Sequence, residues 1–380
     1  MRGSRPLSSK ILLLGAILLA AAIFYTYLRS IPQHTTTVST LQPLPTQPAH
    51  PTHLFPVADT VATSTSTATT TKPATPSKKL PTVVAQNAAP ITHTPTQTPG
   101  ITITKKIDES DIAAATQSLR ASTVNLFCTG VLGGYRESIS GTGVMIDSQG
   151  VLLTSAHVAQ FMLLKTFSCT IRTGSPASTQ YQASLLYLPP QWVAENAYKI
   201  GQPDATSTGQ YDFAFVYIQN AGKTFPRSQI TTGVPPIHEP VIIAAYPAQY
   251  LTGNTVQNDL YISSVASTLD TLYTFLEGGK TVDEFSLGAS ALSQSGSSGG
   301  GVARAEDGAV FGLITTQTQG ENTSQRELNA ITVGHIDRSL KEFGEGGIET
   351  LMTGDFAKKA QDFTTNVAPG LAAQLQKYIH

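Results

Sequence analysis

Between Thr123 and Thr316 the sequence is cut into short runs of β-branched, aromatic and aliphatic residues, with few helical periods of any length. The first series is Thr123 to Cys128, Gly141 to Ile146, Val151 to Thr154, Cys169 to Arg172, Tyr181 to Leu188 and Asp212 to Ile218. A second series follows: Val241 to Ala245, Asp259 to Ser264, Thr271 to Leu276, Thr281 to Leu287, Gly301 to Arg304 and Val310 to Thr316. Turn residues punctuate them, as in Asp147-Ser-Gln-Gly150. Such a pattern makes a barrel or a sandwich. About six runs in each half predict an all-β fold of two similar six-stranded antiparallel barrels.

The flanks read differently. Arg2, Arg5 and Lys10 precede an apolar run from Ile11 to Leu28. At about 1.5 Å per residue that run nearly matches a hydrocarbon core of about 30 Å, so a transmembrane helix is expected with its N-terminus in the cytoplasm. The small residues Ala20-Ala21-Ala22 would also suit a cleaved signal peptide. Either way the remainder is exported, and the favoured location is the cell membrane, single-pass, with the folded part extracytoplasmic. From 31 to 106 the chain is rich in Thr, Pro, Ala and Ser and cannot offset its ordering entropy by burial, so a disordered linker or stalk is expected. Asp111 to Ser122 suits a short helix leading into a domain spanning 107–344. Ile336, Leu340 and Phe343 fall at helical spacing. Beyond them Met352, Phe356, Ala360, Phe363 and Val367 form an apolar stripe, broken at Pro369-Gly370 and resumed by Leu371, Leu375 and Ile379. A helical C-terminal tail over 345–380 follows, packed on the domain or used for homo-oligomer formation.

Charge excludes one class of partner. With 24 basic and 25 acidic side chains the formal net charge is -1, which supplies no field for nucleic acid. The cysteines, Cys128 and Cys169, lack the paired spacing of a zinc site. No metal or organic cofactor is expected.

Three stretches carry chemistry: Leu153-Thr-Ser-Ala-His157-Val158, Gln210-Tyr-Asp212-Phe-Ala-Phe-Val216, and Gln294-Ser-Gly296-Ser-Ser298-Gly-Gly-Gly301-Val302. A serine hydroxyl becomes a useful nucleophile when a neighbouring histidine takes its proton. Attack on an amide then creates an oxyanion that needs backbone N–H donors, and glycines beside the serine let those donors approach. Thr154-Ser-Ala-His157 and Gly296-Ser-Ser298-Gly-Gly300 resemble the base and nucleophile motifs of the trypsin-like serine peptidases, closest to the HtrA-type bacterial branch. Asp212-Phe-Ala-Phe fits the family's aspartate strand, and the order His, Asp, Ser is the family's. Ser140-Gly-Thr-Gly-Val144 and Gly312-Leu-Ile-Thr-Thr316 extend the resemblance to about Ala115 to Phe343.

The resemblance implies a trypsin-like fold and serine endopeptidase activity toward exported or unfolded polypeptides. Ser298 would attack, His157 would relay the proton, and Asp212 would hold the imidazole. Gly296 and Ser298 would supply the oxyanion donors. The specificity pocket would be walled by Leu292, Ser293 and the stretch Ile314, Thr315, Thr316 and Gln317, with Leu292 at its base. Without a carboxylate or cation there, the preferred residue before the scissile bond is small or medium apolar. A Cys128–Cys169 disulfide is implied by neighbouring strands of the family's first barrel and an oxidising compartment. Departures matter as well. Ser297 replaces the aspartate that pairs with a cut N-terminus in activated digestive proteases. Gly301 stands where Pro is common, which would relax the loop. The residues after Thr332 are too few for a PDZ domain. Two rival readings are a membrane-tethered pseudoprotease or peptide-binding module and an α/β-hydrolase esterase, for which Asp307 and His335 are the best downstream partners of the serine.

Overall fold

The computed structural model describes residues 107–202 and 208–379. The segment Ile11 to Leu28 and the whole linker over 31–106 lie outside the described residues. Among the described ones no helix is long and apolar enough to cross a membrane. Helix α1 (Glu109–Ser122) starts where Asp108 caps it. The Asp108 carboxylate accepts from the N–H groups of Ser110 and Asp111 at 2.9 and 3.0 Å. The Asp111 carboxylate accepts from the Asp108 N–H at 3.4 Å, closing a capping box.

Strands β1 (Thr123–Leu132), β2 (Tyr135–Asp147) and β3 (Val151–Thr154) lead into a short helix α2 (Ala156–Ala159). Strands β4 (Phe167–Thr173) and β5 (Thr179–Tyr187), helix α3 (Pro190–Asn196) and strand β6 (Ala214–Ile218) follow. The six strands close into an antiparallel barrel in the order β1-β2-β3-β6-β5-β4. In β1 and β4, Cys128 and Cys169 are directly opposite and joined by a disulfide.

The second sheet corrects the expected second six-stranded barrel. It comprises β7 (Pro240–Ala245), β8 (Ser263–Thr268), β9 (Thr271–Tyr273), β10 (Glu284–Ala289), β11 (Gly301–Arg304), β12 (Val310–Gln317) and β13 (Glu327–Thr332). These form one seven-stranded sheet in the order β8-β7-β11-β12-β13-β10-β9. Its two edges are consecutive in the chain and parted by a corner at Leu269-Asp270. The corner bonds in two directions. Leu269 exchanges backbone hydrogen bonds with His238 and Glu239, while the Asp270 N–H donates to the Ser286 carbonyl.

Helix α1 ties the two sheets together. Leu119 is fully buried, and the Ser122 and Ser228 hydroxyls are 2.7 Å apart. Arg120 Nη1 donates to the Ile262 carbonyl and to Ser264 Oγ at 3.3 and 3.0 Å. A Cβ on Gly301 would lie 2.8 Å from Val144 Cγ2 and 3.0 Å from Leu119 Cδ1. Gly301 therefore makes room for α1 and β2, rather than loosening the nucleophile loop.

After β13 the chain forms α5 (Val333–Glu342), α6 (Ile348–Leu351), α7 (Phe356–Asn366) and α8 (Ala368–Gln376), with α4 (Gly253–Asn258) lying earlier, between β7 and β8. The apolar stripe of α7 faces the first barrel: the rings of Phe363 and Tyr187 are 6.3 Å apart, and those of Phe356 and Tyr217 are 6.2 Å apart. Phe356, Ala360, Phe363, Leu371 and Leu375 are buried in the same core as the first barrel. Pro369 falls in the first turn of α8, where its missing N–H is harmless, so the break at Pro369-Gly370 begins a new helix.

Candidate active site

His157 leaves the end of β3 on the first turn of α2 and is half-buried. Asp212 immediately precedes the apolar β6 and is fully buried. Its Oδ2 lies 2.7 Å from His157 Nδ1, and its Oδ1 accepts the His157 backbone N–H at 2.9 Å. One carboxylate thus fixes both the ring and the main chain of the histidine. With Nδ1 engaged, Nε2 is the nitrogen left to handle a proton. Burial of the imidazole opposes its protonation, but the charge and hydrogen bond of Asp212 outweigh it and raise the His157 pKa.

The turn bearing Asp212 is unusual. Gly209 has φ +81° and its carbonyl accepts the Asp212 N–H at 3.0 Å. Tyr211 also lies in the left-handed region, at φ 59°. That conformation is disfavoured for a bulky residue. It is held by ring contacts: His335 stacks on Tyr211 with centroids 6.0 Å apart, and Phe343 meets it edge-on at 5.1 Å. His335 in turn lies 3.4 Å, Nδ1 to Oδ1, from Asp283, which Arg338 also pairs at 2.6 Å.

Ser298 lies between the second sheet's buried turn and β11. A Cβ on Gly296 would be 2.6 Å from the Tyr246 carbonyl, and one on Gly299 would be 2.0 Å from the Thr142 carbonyl. Both glycines have positive φ, so only glycine fits either place. Thr142 of β2 clips this loop across the two sheets. Its N–H donates to the Ser298 carbonyl at 2.8 Å. Its hydroxyl donates to the Gly296 carbonyl at 2.7 Å and accepts the Tyr246 N–H at 2.9 Å. Among the described residues, no acceptor is paired with the N–H of Gly296 or of Ser298. Backbone donors of this kind are what an oxyanion requires.

His157, Asp212, Gly296 and Ser298 all line one cleft of about 660 Å³. Ile314, Thr315, Thr316 and Gln317 of β12 line it too. Leu292 and Ser293, expected in the pocket wall, are buried and do not line it. The Leu292 N–H bonds Ser290 Oγ and the Ser293 N–H bonds the Ser290 carbonyl. This tight turn sends Leu292 into the second sheet's core and leaves both residues buried behind the cleft. Gln294 and Ser295 line the cleft in their place.

Sequence reasoning missed Leu328, which is the register partner of Gln317 and also lines the cleft. It missed as well Leu132 and Glu137 to Ser140 of the β1–β2 hairpin, and Trp192 and Lys199, which line the cleft too. A Cβ on Gly201 would meet Leu132 Cδ2 at 2.9 Å, so hairpin and loop touch at the rim. The two residues of the esterase reading do not join the serine. Asp307 pairs with Arg304, His335 sits by Asp283, and neither lines the cleft. Among the described residues no cluster of His, Cys, Asp or Glu is arranged to hold a metal ion.

Comparison with known proteins bears on the fold. No curated protein matches the sequence. Among solved structures, the chain is similar to an HtrA-type protease, AlgW, determined with a decapeptide, at 15% identity and a TM-score of 0.42, covering 61% of this chain and 67% of that one. It is also similar to Deg5, at 15% identity and a TM-score of 0.42 over 62% of this chain and 96% of that one. A third likeness is to Rv3671c of M. tuberculosis in an inactive form, at 15% identity and a TM-score of 0.40 over 63% of this chain and 92% of that one. Residues 141–313 match the family described as the trypsin-like peptidase domain. That match falls on most of the closed barrel and most of the second antiparallel sheet, and so on the part of the chain whose cleft is lined by His157 and Ser298: these residues are similar to a trypsin-like peptidase domain.

Proposed function

We propose that this protein is an HtrA-like serine endopeptidase, tethered by Ile11 to Leu28 with its folded domain outside the cytoplasmic membrane. Ser298 attacks the scissile carbonyl while His157 takes its proton, then returns it to the leaving amine. Asp212 holds the tautomer and stabilises the imidazolium. The N–H groups of Gly296 and Ser298 receive the oxyanion, and water resolves the acyl-enzyme. The observation that carries this reading is the two-point grip of Asp212 on His157, opening onto the same cleft as Ser298.

Substrates are exported or unfolded polypeptides cleaved after small or medium apolar residues. Along the β12 side the cleft is lined by Ile314, Thr315, Thr316, Gln317, Gln319 and Leu328, with no ionised group among them. An apolar wall separates neighbouring side chains by only about 1–3 kcal/mol per methylene, so the preference is broad.

A fluorophosphonate probe tests the chemistry. It should label Ser298 in the wild-type protein and nothing in Ser298→Ala; an unlabelled wild type would establish a peptide-binding module instead. Digestion of a proteome-derived peptide library tests the pocket, and a profile dominated by Lys, Arg or Glu would overturn its assignment. Protease shaving of spheroplasts tests the tether, since it should release an active domain by cutting between Thr35 and Thr104.

A further inference from the structure

We propose that Glu284 is a positioning residue for the triad, a buried acid that holds the Asp212-bearing turn in place through Gly209, Thr315 and Thr316. The inference rests on the protease reading above.

Glu284 opens β10, where it is paired with Tyr273 of β9 and Ile331 of β13. It is only 1% exposed and does not line the cleft. Its Oε1 is 3.3 Å from Thr316 Oγ1. On the other side stands Gly209, whose missing side chain is the link to the catalytic acid. A Cβ there would be 3.1 Å from Thr315 Oγ1 and 3.2 Å from Glu284 Oε1, so both oxygens rest against the open face of Gly209. The Gly209 carbonyl then accepts the Asp212 N–H, and Asp212 grips His157. Thr315 and Thr316 face the cleft from the same stretch of β12. One carboxyl therefore sits behind both the acid turn and the substrate-facing strand.

The protonation state decides what that carboxyl can do. As a neutral acid it has one O–H to donate as well as oxygens to accept; as a carboxylate it only accepts. Burial pushes the Glu284 carboxyl up to about 8, with the Thr316 hydrogen bond opposing that rise. Among the described residues, Tyr273 on β9 feels its charge, and Asp283 precedes it in the chain. Asp283 is engaged elsewhere, with Thr274, His335 and Arg338. Below about pH 8 the neutral acid keeps the turn closed. Above it, a charge behind Gly209 demands new donors or water, and the turn loosens.

The experiment is the rate of fluorophosphonate labelling of Ser298 from about pH 6 to about pH 10, with folding checked by thermal unfolding. In the wild type the rate should rise as His157 loses its proton and fall again above about pH 8. Glu284→Gln is neutral at every pH. It should keep the neutral-pH rate within about three-fold and lose the alkaline fall. Glu284→Ala, if folded, should label about 10- to 100-fold more slowly across the range, the size of loss that a misplaced catalytic group produces. With a peptide substrate that loss should appear in kcat and leave KM nearly unchanged. An alkaline fall that persists in Glu284→Gln, or a folded Glu284→Ala as fast as wild type, would overturn the proposal. A wild-type protein unlabelled at every pH would instead remove the protease reading, and this inference with it.

Discussion

Thr142 offers the sharpest test of how the nucleophile loop is held. Its side chain is fully buried and makes two bonds of different kinds, donating to the Gly296 carbonyl at 2.7 Å and accepting the Tyr246 N–H at 2.9 Å. Thr142→Val keeps the shape and deletes both. Each backbone group left without this partner in a buried setting costs about 1–3 kcal/mol, so the variant should lose roughly 2–6 kcal/mol of stability. The residue freed is Gly296, one of the two proposed oxyanion donors. Loss of a whole donor typically costs about 100- to 1000-fold in rate, and a donor that is only loosened should cost about 10- to 100-fold. Urea unfolding gives the first quantity and the fluorophosphonate labelling rate gives the second. Thr142→Ser, which keeps the hydroxyl, should recover most of both. A Thr142→Val protein within about 0.5 kcal/mol of wild type and labelled within about two-fold would show that the clip holds nothing.

Asp212→Asn removes the charge that raises the His157 pKa, so the acid limb of activity should move to lower pH while kcat falls about 10⁴-fold; an unmoved limb would contradict the pairing. The raised pKa also has a stability sign. Its contribution is fully present below the ordinary histidine value of about 6.5 and is lost as pH climbs through the higher folded value. Replacing both Cys128 and Cys169 by Ala should destabilise by roughly 4 kcal/mol, because the pair closes a separation of 41 residues; equal urea midpoints with and without the bond would refute this. Gly301→Ala forces a methyl toward Val144 and Leu119 and should cost about 1–3 kcal/mol. That cost should shrink in a Leu119→Ala background, and strictly additive effects would argue against the contact.

The proposed catalytic residues were legible because the chemistry proposed for them demands local sequence. A histidine after a small-residue turn, an aspartate opening an apolar strand and a serine among glycines can each be recognised within a few positions. What surrounds them depends on distant parts of the chain. Leu292 has the right place in the motif for a pocket base, yet a Ser290-centred turn rotates it into the core. Leu328 belongs to β13, a short strand of mixed character that has no alternation strong enough to announce it. Thr142 looks like one more residue of a β-run, and its role exists only because Gly296 and Tyr246 arrive from the other sheet. The second sheet has one strand more than the expected six because β13 is that same unannounced strand, and it stays open because the corner at Leu269-Asp270 parts its two edge strands through hydrogen bonds to residues far away in sequence. The α7 stripe, by contrast, was readable, because its helical spacing is a property of the segment itself.

The ring stack on Tyr211 separates two events that are easily taken for one. The ribosome has delivered His157, Asp212 and Ser298 once it passes the nucleophile, but the wall that keeps Tyr211 in its left-handed conformation comes from His335 and Phe343, which have yet to be made. Possession of the three proposed reacting groups therefore precedes completion of the wall around the acid turn. A nascent chain holding all three still lacks the ring contacts on Tyr211 until the segment after β13 has emerged and folded back. The order of synthesis keeps this peptidase domain unfinished while its own unfolded strands are the nearest polypeptide.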